Sequence, residues 1–278
     1  MKKILFFLLI LHFNTKIFAG NTPGRIISLA PAITEELYLL GVQDNLLGVT
    51  TYCDYPEEAK KKEKIGTYLE PNIEKIVRLK PDIILASKEG QKKEIVLRMK
   101  SYGLKVYALE PCNNFKEISE QFLLLGKLLG KEKKAIDILS ALNEKTTRLT
   151  NKTKKTAKVK VFWQLGAEPL MTISKNTFID EMITLAGGQN IAHEGPLRYP
   201  RFNKEEVLRQ NPDVIILVAM GAVTETEKKQ WQKYSDLKAV KNSRIFVIDT
   251  RITCNPTPVN FVEAIEIVSK LLHPELFK

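Results

Sequence analysis

A passage that occurs twice limits the folds open to this chain. Its first copy is residues 72–85, NIEKIVRLKPDIIL, and its second copy is residues 203–217, NKEEVLRQNPDVIIL. In each copy a Glu lies seven residues before a Pro-Asp pair, and an apolar run follows at once. This pattern predicts a short helix that ends near the Pro and a buried parallel strand after it. One such unit in each half of the chain predicts two similar α/β lobes, and proteins of this kind bind ligands in the cleft between the lobes.

The segments around the two copies alternate between strand and helix patterns. In the first half, the predicted strands are 25–29, 46–51, 82–86 and 105–109, and the predicted helices are 72–79, 92–102 and 115–129. In the second half, strands are predicted at 159–164 and 244–249, and helices at 177–186 and 261–272. This alternation is typical of parallel sheets that are covered by helices. We therefore predict an α/β fold class, with two α/β lobes that contain mainly parallel sheets.

A long amphipathic segment lies between the two halves. Apolar residues recur at helical spacing from Ala135 to Leu149, with charged residues on the other face. About 20 helical residues span roughly 30 Å, so we predict that a long rigid interlobe helix joins the lobes. The predicted domains are an N-terminal lobe at 20–130, a connecting helix at 131–157 and a C-terminal lobe at 158–278.

The first 19 residues have the pattern of a signal peptide. Lys2 and Lys3 precede an apolar stretch at 4–13, and small residues at Ala19 and Gly20 fit a cleavage site. The stretch is shorter than the about 20 apolar residues that a membrane-spanning helix needs. No Cys follows directly after the predicted cleavage site to carry a lipid. We therefore expect an exported, soluble, periplasmic protein that acts as a monomer.

The charge of the chain gives little information about a macromolecular partner. The formal net charge is +11, and it falls to +8 without residues 1–19. Lys-rich runs such as 60–64 and 152–155 have no aromatic residues between the charges. This composition is typical of a solvated surface, so no nucleic acid partner is predicted. The positive field would still attract an anionic small molecule.

The Cys and His residues do not form a recognisable catalytic or metal-binding motif. Cys53, Cys112 and Cys254 are far apart, so they predict no zinc site, although one pair of unspecified identity could form a disulfide. His193 and His273 are the only His residues after residue 19, and neither lies in a hydrolase or metalloprotease motif. We therefore predict no catalytic residues, no metal site, no cofactor and no enzymatic function.

Three Tyr residues are candidates for ligand contacts. Tyr52 follows a predicted strand, and Tyr68 and Tyr199 precede the two copies of the repeat at comparable places. In open α/β sheets ligands lie beyond the carboxyl ends of strands, and aromatic rings from two lobes would clamp a flat ligand. The alternative is that each Tyr packs only against its own loop. Three Arg residues offer charge-assisted contacts to an anionic ligand: Arg198, Arg201 and Arg251.

Glu74 and Glu205 occupy the same position in the two copies of the repeat. A single Glu in the first turn of a helix is usually a solvated partner of the helix dipole. A matched pair in opposite lobes instead indicates a docking surface for a partner that carries arginine pockets.

These segments together resemble a known family. Residues 25–35 (RIISLAPAITE), residues 48–56 (GVTTYCDYP) and both copies of the repeat are similar to periplasmic substrate-binding proteins of ABC importers. The subgroup is the one for iron complexes, haem and cobalamin, and the resemblance covers essentially the whole chain after residue 19. It implies two lobes joined by a rigid helix, and a protein that delivers its ligand to an ABC permease and its ATPase.

The resemblance also implies roles for individual residues. Tyr52, Tyr68 and Tyr199 match positions at which cobalamin-binding members place aromatic rings against the corrin, and Glu74 and Glu205 match two glutamates that engage permease arginines. Two places depart from the pattern. Ser87 replaces a further aromatic residue, and the ligand loop at 251–258 reads differently. The resemblance therefore supports the docking role of the two Glu residues more strongly than it supports the identity of the ligand.

Several ligands and two other classes of function remain as alternatives. The three Tyr residues favour a corrinoid, whereas an anionic iron–siderophore would use the Arg residues, and haem would take Tyr199 or His193 as an iron ligand. Two His residues are too few for a zinc or manganese site that is rich in His. The rival functions are an exported α/β enzyme that acts on a small anionic substrate and a receptor-type sensor module.

Overall fold

The computed structural model describes residues 22–218 and 224–278. The predicted signal peptide and its cleavage site lie outside the described residues. Across the described ranges, no helix combines the length and the apolar character that crossing a membrane requires.

The first lobe is built on a parallel sheet of five strands. Its elements are β1 (Ile26–Ser28), α1 (Pro31–Leu40), β2 (Leu46–Val49), β3 (Glu63–Lys64), α2 (Ile73–Arg78), β4 (Ile83–Ser87), α3 (Lys93–Ser101) and β5 (Val106–Leu109). The strand order is β3-β2-β1-β4-β5, and every neighbouring pair is parallel. The four strands predicted in this half are confirmed with ends that differ by at most two residues. The two-residue edge strand β3 was not predicted.

Two long helices follow, and the second lobe is built on a parallel sheet of four strands. The helices are α4 (Phe115–Leu128) and α5 (Glu132–Thr153). The later elements are β6 (Val159–Gln164), β7 (Gly166–Ala167), β8 (Leu170–Met171), α6 (Phe178–Leu185), β9 (Gly188–Asn190), α7 (Lys204–Gln210), β10 (Val214–Val218), α8 (Thr224–Gln232), α9 (Lys238–Lys241), β11 (Ile245–Ile248), α10 (Thr250–Cys254) and α11 (Pro258–Leu272). The sheet order is β11-β10-β6-β9, all parallel, and β7 and β8 form a separate antiparallel hairpin.

The repeated passage folds in the same way in both lobes. Asn72 and Asn203 cap α2 and α7, and each side-chain oxygen accepts a hydrogen bond from the backbone N–H three residues later. The Asp of each Pro-Asp pair also has a common role. Asp82 Oδ2 accepts from the backbone of Arg25 at the start of β1, and Asp213 Oδ2 accepts from the backbone of Lys160 in β6, both at 2.9 Å. In each lobe the repeat therefore provides a helix cap and a side-chain hydrogen bond that links two neighbouring strands.

The predicted interlobe helix corresponds to α5, and α4 packs beside it between the same two cores. Phe122 of α4 and Leu139 of α5 belong to the core of the first lobe. Phe115 of α4 and Leu149 of α5 belong to the core of the second lobe. The two helices pack closely, because a Cβ on Gly126 of α4 would lie 2.7 Å from the Cβ of α5's Ala135. Since both helices extend from one core into the other, the lobes share a stiff support.

Two local features differ from the sequence-based expectations. Part of the expected ligand loop at 251–258 is the short helix α10, which Asp249 caps by accepting from the backbone N–H of Arg251. Gly187 follows α6 with a left-handed φ of 87°, and Gly188 then begins the short strand β9, which was not predicted. The three Cys residues are free thiols, so the disulfide considered as a possibility is not formed.

Candidate ligand-binding cleft

A cavity of about 450 Å³ lies between the lobes. Its walls come from the start of α1, the loops after β2 and β3, the ends of β4 and β5, and residues 254–256 of the second lobe. The carboxyl ends of parallel strands thus open onto the cavity, as they do at ligand sites in other α/β proteins. The volume lies within the roughly 300–1,000 Å³ that is usual for small-molecule sites.

Two of the three predicted Tyr residues lie on the cavity wall. Tyr52 is 62% exposed, and the neighbouring wall residue Leu69 is 56% exposed. Tyr68 is half-buried, and burial raises the pKa of its hydroxyl. Soluble proteins rarely leave large apolar side chains together in contact with water without a function. The structure therefore brings Tyr52 and Tyr68 together on one apolar surface of the first lobe.

Two residues that the sequence analysis missed position Tyr68. A Cβ on Gly90 would lie 1.7 Å from Tyr68 Cζ, so only glycine leaves room for the ring here. Gln91 is buried and uses its whole amide: Nε2 donates to the carbonyl oxygens of Leu29 and Tyr68 at 3.0 and 2.9 Å, and Oε1 accepts from the backbone of Ser87 at 2.7 Å. Gln91 thus ties the loop that carries Tyr68 to the ends of two strands.

The third Tyr and its neighbouring Arg reach across to the first lobe. The Tyr199 hydroxyl donates to Glu89 Oε1 at 3.2 Å, and Arg198 Nη1 lies 3.4 Å from the same oxygen. Arg198 also donates to the carbonyl oxygen of Cys112 at 3.3 Å, and its guanidinium lies 5.4 Å from the Tyr199 ring centre. Glu89 is part of the cavity wall, but Arg198 and Tyr199 are not. These two residues form a bridge between the lobes beside the cavity.

The other two predicted Arg residues are also not part of the cavity wall. Arg251 stacks on Tyr55 of the first lobe, with 4.1 Å between the guanidinium carbon and the ring centre. Its Nη1 atom donates to Asn260 Oδ1 at 3.0 Å and lies 3.9 Å from Glu35 Oε2. Arg201 is exposed, and its backbone bridges to Met171 of the β7–β8 hairpin. The structure therefore does not gather the three Arg residues into one anion site.

The charged residues on the cavity wall are acidic. Glu36, Glu89 and Glu110 all line it, whereas Lys88 forms an ion pair with Glu110 and is not itself part of the wall. Glu36 is only 4% exposed, and burial first and the neighbouring Glu35 second raise its pKa well above the ordinary value.

Two thiols add to the weakly polar character of the wall. Burial first, and then nearby carboxyl groups, raise the pKa of the Cys112 thiol to about 12. Burial also raises the pKa of the Cys254 thiol. Both residues line the cavity as neutral thiols, which behave as small apolar groups with weak donors. The described residues contain no cluster of three or more His, Cys, Asp or Glu that could hold a metal ion.

Glu74 and Glu205 lie at equivalent, exposed positions in the two lobes. Each is the second residue of its helix, two positions after the capping Asn. In α7 the next residue, Glu206, forms an ion pair with Arg209 at 2.6 Å, whereas the described side chains offer no ion pair to Glu74 or Glu205. Both carboxylates are thus available to a partner.

Comparison with known proteins places the chain in a family. The model for the family described as periplasmic binding protein matches residues 26–252. The chain belongs to the periplasmic binding protein family. A vitamin B12-binding protein of Vibrio parahaemolyticus is 27% identical over 92% of each chain. An uncharacterised ABC transporter substrate-binding lipoprotein of Bacillus subtilis is 29% identical over 95% of this chain and 85% of its own length.

Solved structures of similar proteins share the fold. The periplasmic vitamin B12-binding protein of Vibrio cholerae superimposes with a TM-score of 0.79 and 28% identity, over 92% of this chain and 99% of its own. A periplasmic haem-binding protein from Roseiflexus gives a TM-score of 0.80 at 21% identity, over 91% of this chain and 98% of its own. The two comparisons confirm the predicted fold class. Because proteins with different ligands superimpose equally well, the fold alone does not select the ligand.

Proposed function

We propose that this protein is an exported, periplasmic substrate-binding protein of an ABC importer, and that it captures a corrinoid such as cobalamin without chemical turnover. The observation that carries the proposal is the cavity between the lobes, which combines exposed aromatic and apolar groups with acidic residues and no Arg or Lys. The similarity to vitamin B12-binding proteins over almost the whole chain supports the same ligand class.

The charge of the cavity separates the candidate ligands. Haem carries two propionates, and many siderophores are anionic, so both would meet a wall that supplies carboxyl groups and no cationic side chain to pair with them. The nearby cations already have partners: Arg198 and Lys88 pair with Glu89 and Glu110 of the wall, and Arg251 pairs with Glu35. A neutral or cationic chelate does not need a cationic partner on the wall. Cyanocobalamin is neutral and offers a broad apolar face to Tyr52 and Tyr68.

Haem is further disfavoured by the surroundings of its two candidate iron ligands. Tyr199 donates its hydroxyl proton to Glu89, and His193 Nδ1 lies 2.9 Å from Asp180 Oδ2. Neither Tyr199 nor His193 is part of the cavity wall. The second candidate ligand is therefore a neutral or cationic iron–siderophore, which the acidic wall would also accept. An exported α/β enzyme remains a more distant alternative, because no nucleophile, base and orienting group converge in the cavity.

Calorimetric titration of the ligand-stripped protein with cyanocobalamin tests the proposal, with haemin, a cationic hydroxamate siderophore and an anionic catecholate siderophore run in parallel. We expect one-to-one binding of cyanocobalamin with a sub-micromolar Kd and much weaker binding of haemin and the catecholate. Binding of haemin or the catecholate without cyanocobalamin would overturn the corrinoid proposal. Chemical conversion of any of the four compounds would overturn the binding role.

The partners follow from the importer role. We propose that the loaded protein docks on an ABC permease, whose ATPase drives transport, through Glu74 in one lobe and Glu205 in the other. The equivalent cap geometry of the two helices supports this arrangement, because it presents one carboxylate per lobe to arginine pockets on a two-fold symmetric partner. The protein acts in this role as a monomer.

A further inference from the structure

Two adjacent acids on α1 have different surroundings. Glu35 faces the second lobe and accepts hydrogen bonds from Asn255 Nδ2 and Asn260 Nδ2 at 2.7 and 2.8 Å. Glu36 lies on the cavity wall with Ile33, one helical turn earlier, and is 4% exposed. Among the described residues, nothing donates a hydrogen bond to Glu36 or pairs with its charge. A buried polar side chain that faces a cavity without a protein partner can take a hydrogen bond from a bound ligand.

The cavity favours the neutral form of Glu36. The titratable side chains that share its wall are Tyr52, Tyr68, Glu89, Glu110, Cys112 and Cys254. These groups are neutral or acidic, Glu35 is the preceding residue, and Arg198 near Cys112 is held by Glu89. A buried charge without a counter-ion is costly, so such a carboxyl takes up a proton instead. Burial and Glu35 accordingly raise the pKa of Glu36.

A protonated carboxyl group can form two hydrogen bonds at once with a group that offers an acceptor and a donor side by side. Its O–H donates and its C=O accepts, side by side in one plane. A primary carboxamide offers the matching C=O and N–H, so the two groups form a pair of hydrogen bonds. Cobalamins carry primary carboxamides on short side chains around the corrin ring. We propose that Glu36, as a neutral carboxylic acid, forms this paired hydrogen bond with a primary carboxamide of the bound ligand. The inference rests on the proposed function, because it names a group of the corrinoid.

The pairing would make Glu36 a specificity-determining residue. A site that satisfies a buried polar group by a ligand hydrogen bond discriminates strongly against ligands that lack the matching group. An apolar side chain would leave both the O–H and the C=O of Glu36 unpaired. An ester would accept from the O–H but leave the C=O without a donor, and a carboxylate would meet the acidic groups around it. Glu36 therefore adds selectivity for the amide periphery, whereas Tyr52 and Tyr68 contact the ring.

The test compares the wild type with Glu36→Gln and Glu36→Leu by calorimetric titration with cyanocobalamin. Gln keeps a neutral donor and acceptor at this position, so we expect its Kd within about threefold of the wild type, whereas Leu should bind about tenfold or more weakly. A second ligand is the cobyrinic acid heptamethyl ester, a corrin in which methyl esters replace the carboxamides. The change to Leu should weaken its binding by a clearly smaller factor.

Proton uptake on binding distinguishes a hydrogen-bonding role of Glu36 from a role in packing alone. Titrations in buffers of different ionisation enthalpy should show that the wild type takes up a proton on binding at pH values where Glu36 is partly ionised, and that its affinity falls as the pH rises. Glu36→Gln should show neither effect at this position. Circular dichroism and thermal unfolding establish that both variants are folded.

The outcomes separate the inference from the proposed function. Failure of the wild type to bind cyanocobalamin would overturn both. Tight binding by the wild type with an equal Kd for Glu36→Leu would overturn the inference alone. An equal loss with the amide and ester corrins would do the same, since it would show that no amide N–H is involved. The affinities expected for the wild type and the two variants with the two ligands would support both the inference and the proposed function.

Discussion

Glu35 and Asn260 lie in opposite lobes, 225 residues apart in the chain, and are joined by a hydrogen bond of 2.8 Å from Asn260 Nδ2 to Glu35 Oε2. Asn255 Nδ2 donates to the other carboxylate oxygen at 2.7 Å. Burial raises the pKa of Glu35, and the bonds from Asn260 and Asn255 oppose this shift. The carboxylate thus forms a polar tie between α1 and the segment that begins α11, behind the cavity.

Replacing Glu35 should destabilise the protein. Glu35→Ala removes the acceptor for the buried amide of Asn260 and the partly buried amide of Asn255, and the loss at a buried group costs about 1–3 kcal/mol. We expect the free energy of unfolding to fall by at least 1 kcal/mol in urea titrations followed by circular dichroism. Glu35→Gln should lose less stability, because its single amide oxygen can still accept one of the two hydrogen bonds. The matched control is Glu94→Ala on the exposed face of α3, and an equal small effect for both sites would contradict the role of the tie.

Gly90→Ala should weaken ligand binding through Tyr68. A Cβ at this position overlaps the Tyr68 ring, so the ring must leave its present place against the backbone of Gly90. We expect a loss of affinity for cyanocobalamin of about tenfold, similar to that of Tyr68→Ala, because an aromatic contact contributes on the order of 1 kcal/mol. The measurement is the Kd from calorimetry.

Gly24→Ala is the control for Gly90→Ala. A Cβ on Gly24 would approach its nearest neighbour, Asp82, only to 3.8 Å, and its φ is not left-handed. This variant should bind as the wild type does. Wild-type affinity for Gly90→Ala, with a folded protein, would mean that the position of the Tyr68 ring is unimportant for the ligand.

The fold could be predicted largely because its signals are local. The Asn caps, the Pro-Asp pairs and the apolar runs of the repeat act within about 15 residues, and the structure uses them as the pattern indicates. The place of Tyr52 and Tyr68 at the cavity could be predicted because the ends of parallel strands meet at one edge of a sheet. The short elements β3, β9 and α10 were missed, since pairing with a neighbouring strand or a capping Asp decides elements of two to five residues.

The polar part of the site depends on contacts that the sequence does not reveal. In the sequence Glu35 and Glu36 are simply two adjacent acids. In the structure Glu35 accepts hydrogen bonds from Asn255 and Asn260 of the second lobe, and Glu36 lines the cavity. The Arg residues were predicted to face the ligand from their type alone. Their partners Glu89 and Glu35 lie in the other lobe, at separations of 109 and 216 residues, so the sequence could not show that they are engaged.

The buried Glu36 should make stability depend on pH in a defined direction. Its folded pKa lies above the ordinary value of 4.5. The unfolded chain therefore releases this proton first as the pH rises, and stability is lost between the unfolded and the folded pKa by about 1.4 kcal/mol per pH unit. Relative to Glu36→Gln, the wild type should be most stable near pH 4 and should lose this advantage as the pH rises.

Urea unfolding of both proteins between pH 4 and pH 8 gives the difference in the free energy of unfolding. Other carboxyl groups with raised pKa values, such as Glu181, are present in both proteins, so the difference isolates Glu36 and its coupling to Glu35. A difference that is constant across this range would show that Glu36 titrates alike in the folded and unfolded chain, against the burial that the cavity wall imposes.

The double variant Glu74→Ala with Glu205→Ala should separate transport from binding. Neither residue lies on the cavity wall, so the Kd for cyanocobalamin should stay within about twofold of the wild type. Uptake of labelled cyanocobalamin by cells that carry the variant as their only copy should fall at least tenfold, because truncating one partner of a buried charge pair costs about 2–5 kcal/mol. Each single variant should have an intermediate effect, since one lobe keeps its contact.

The control for this double variant changes two exposed acids elsewhere, Glu144 of α5 and Glu275 near the last residues, both to Ala. It removes the same net charge, so it accounts for any loss of long-range attraction to the membrane. Uptake by the control should equal that of the wild type. Equal uptake by both double variants would exclude docking through Glu74 and Glu205, whereas a fall in ligand affinity for the Glu74 and Glu205 variant would place these residues in binding instead of docking.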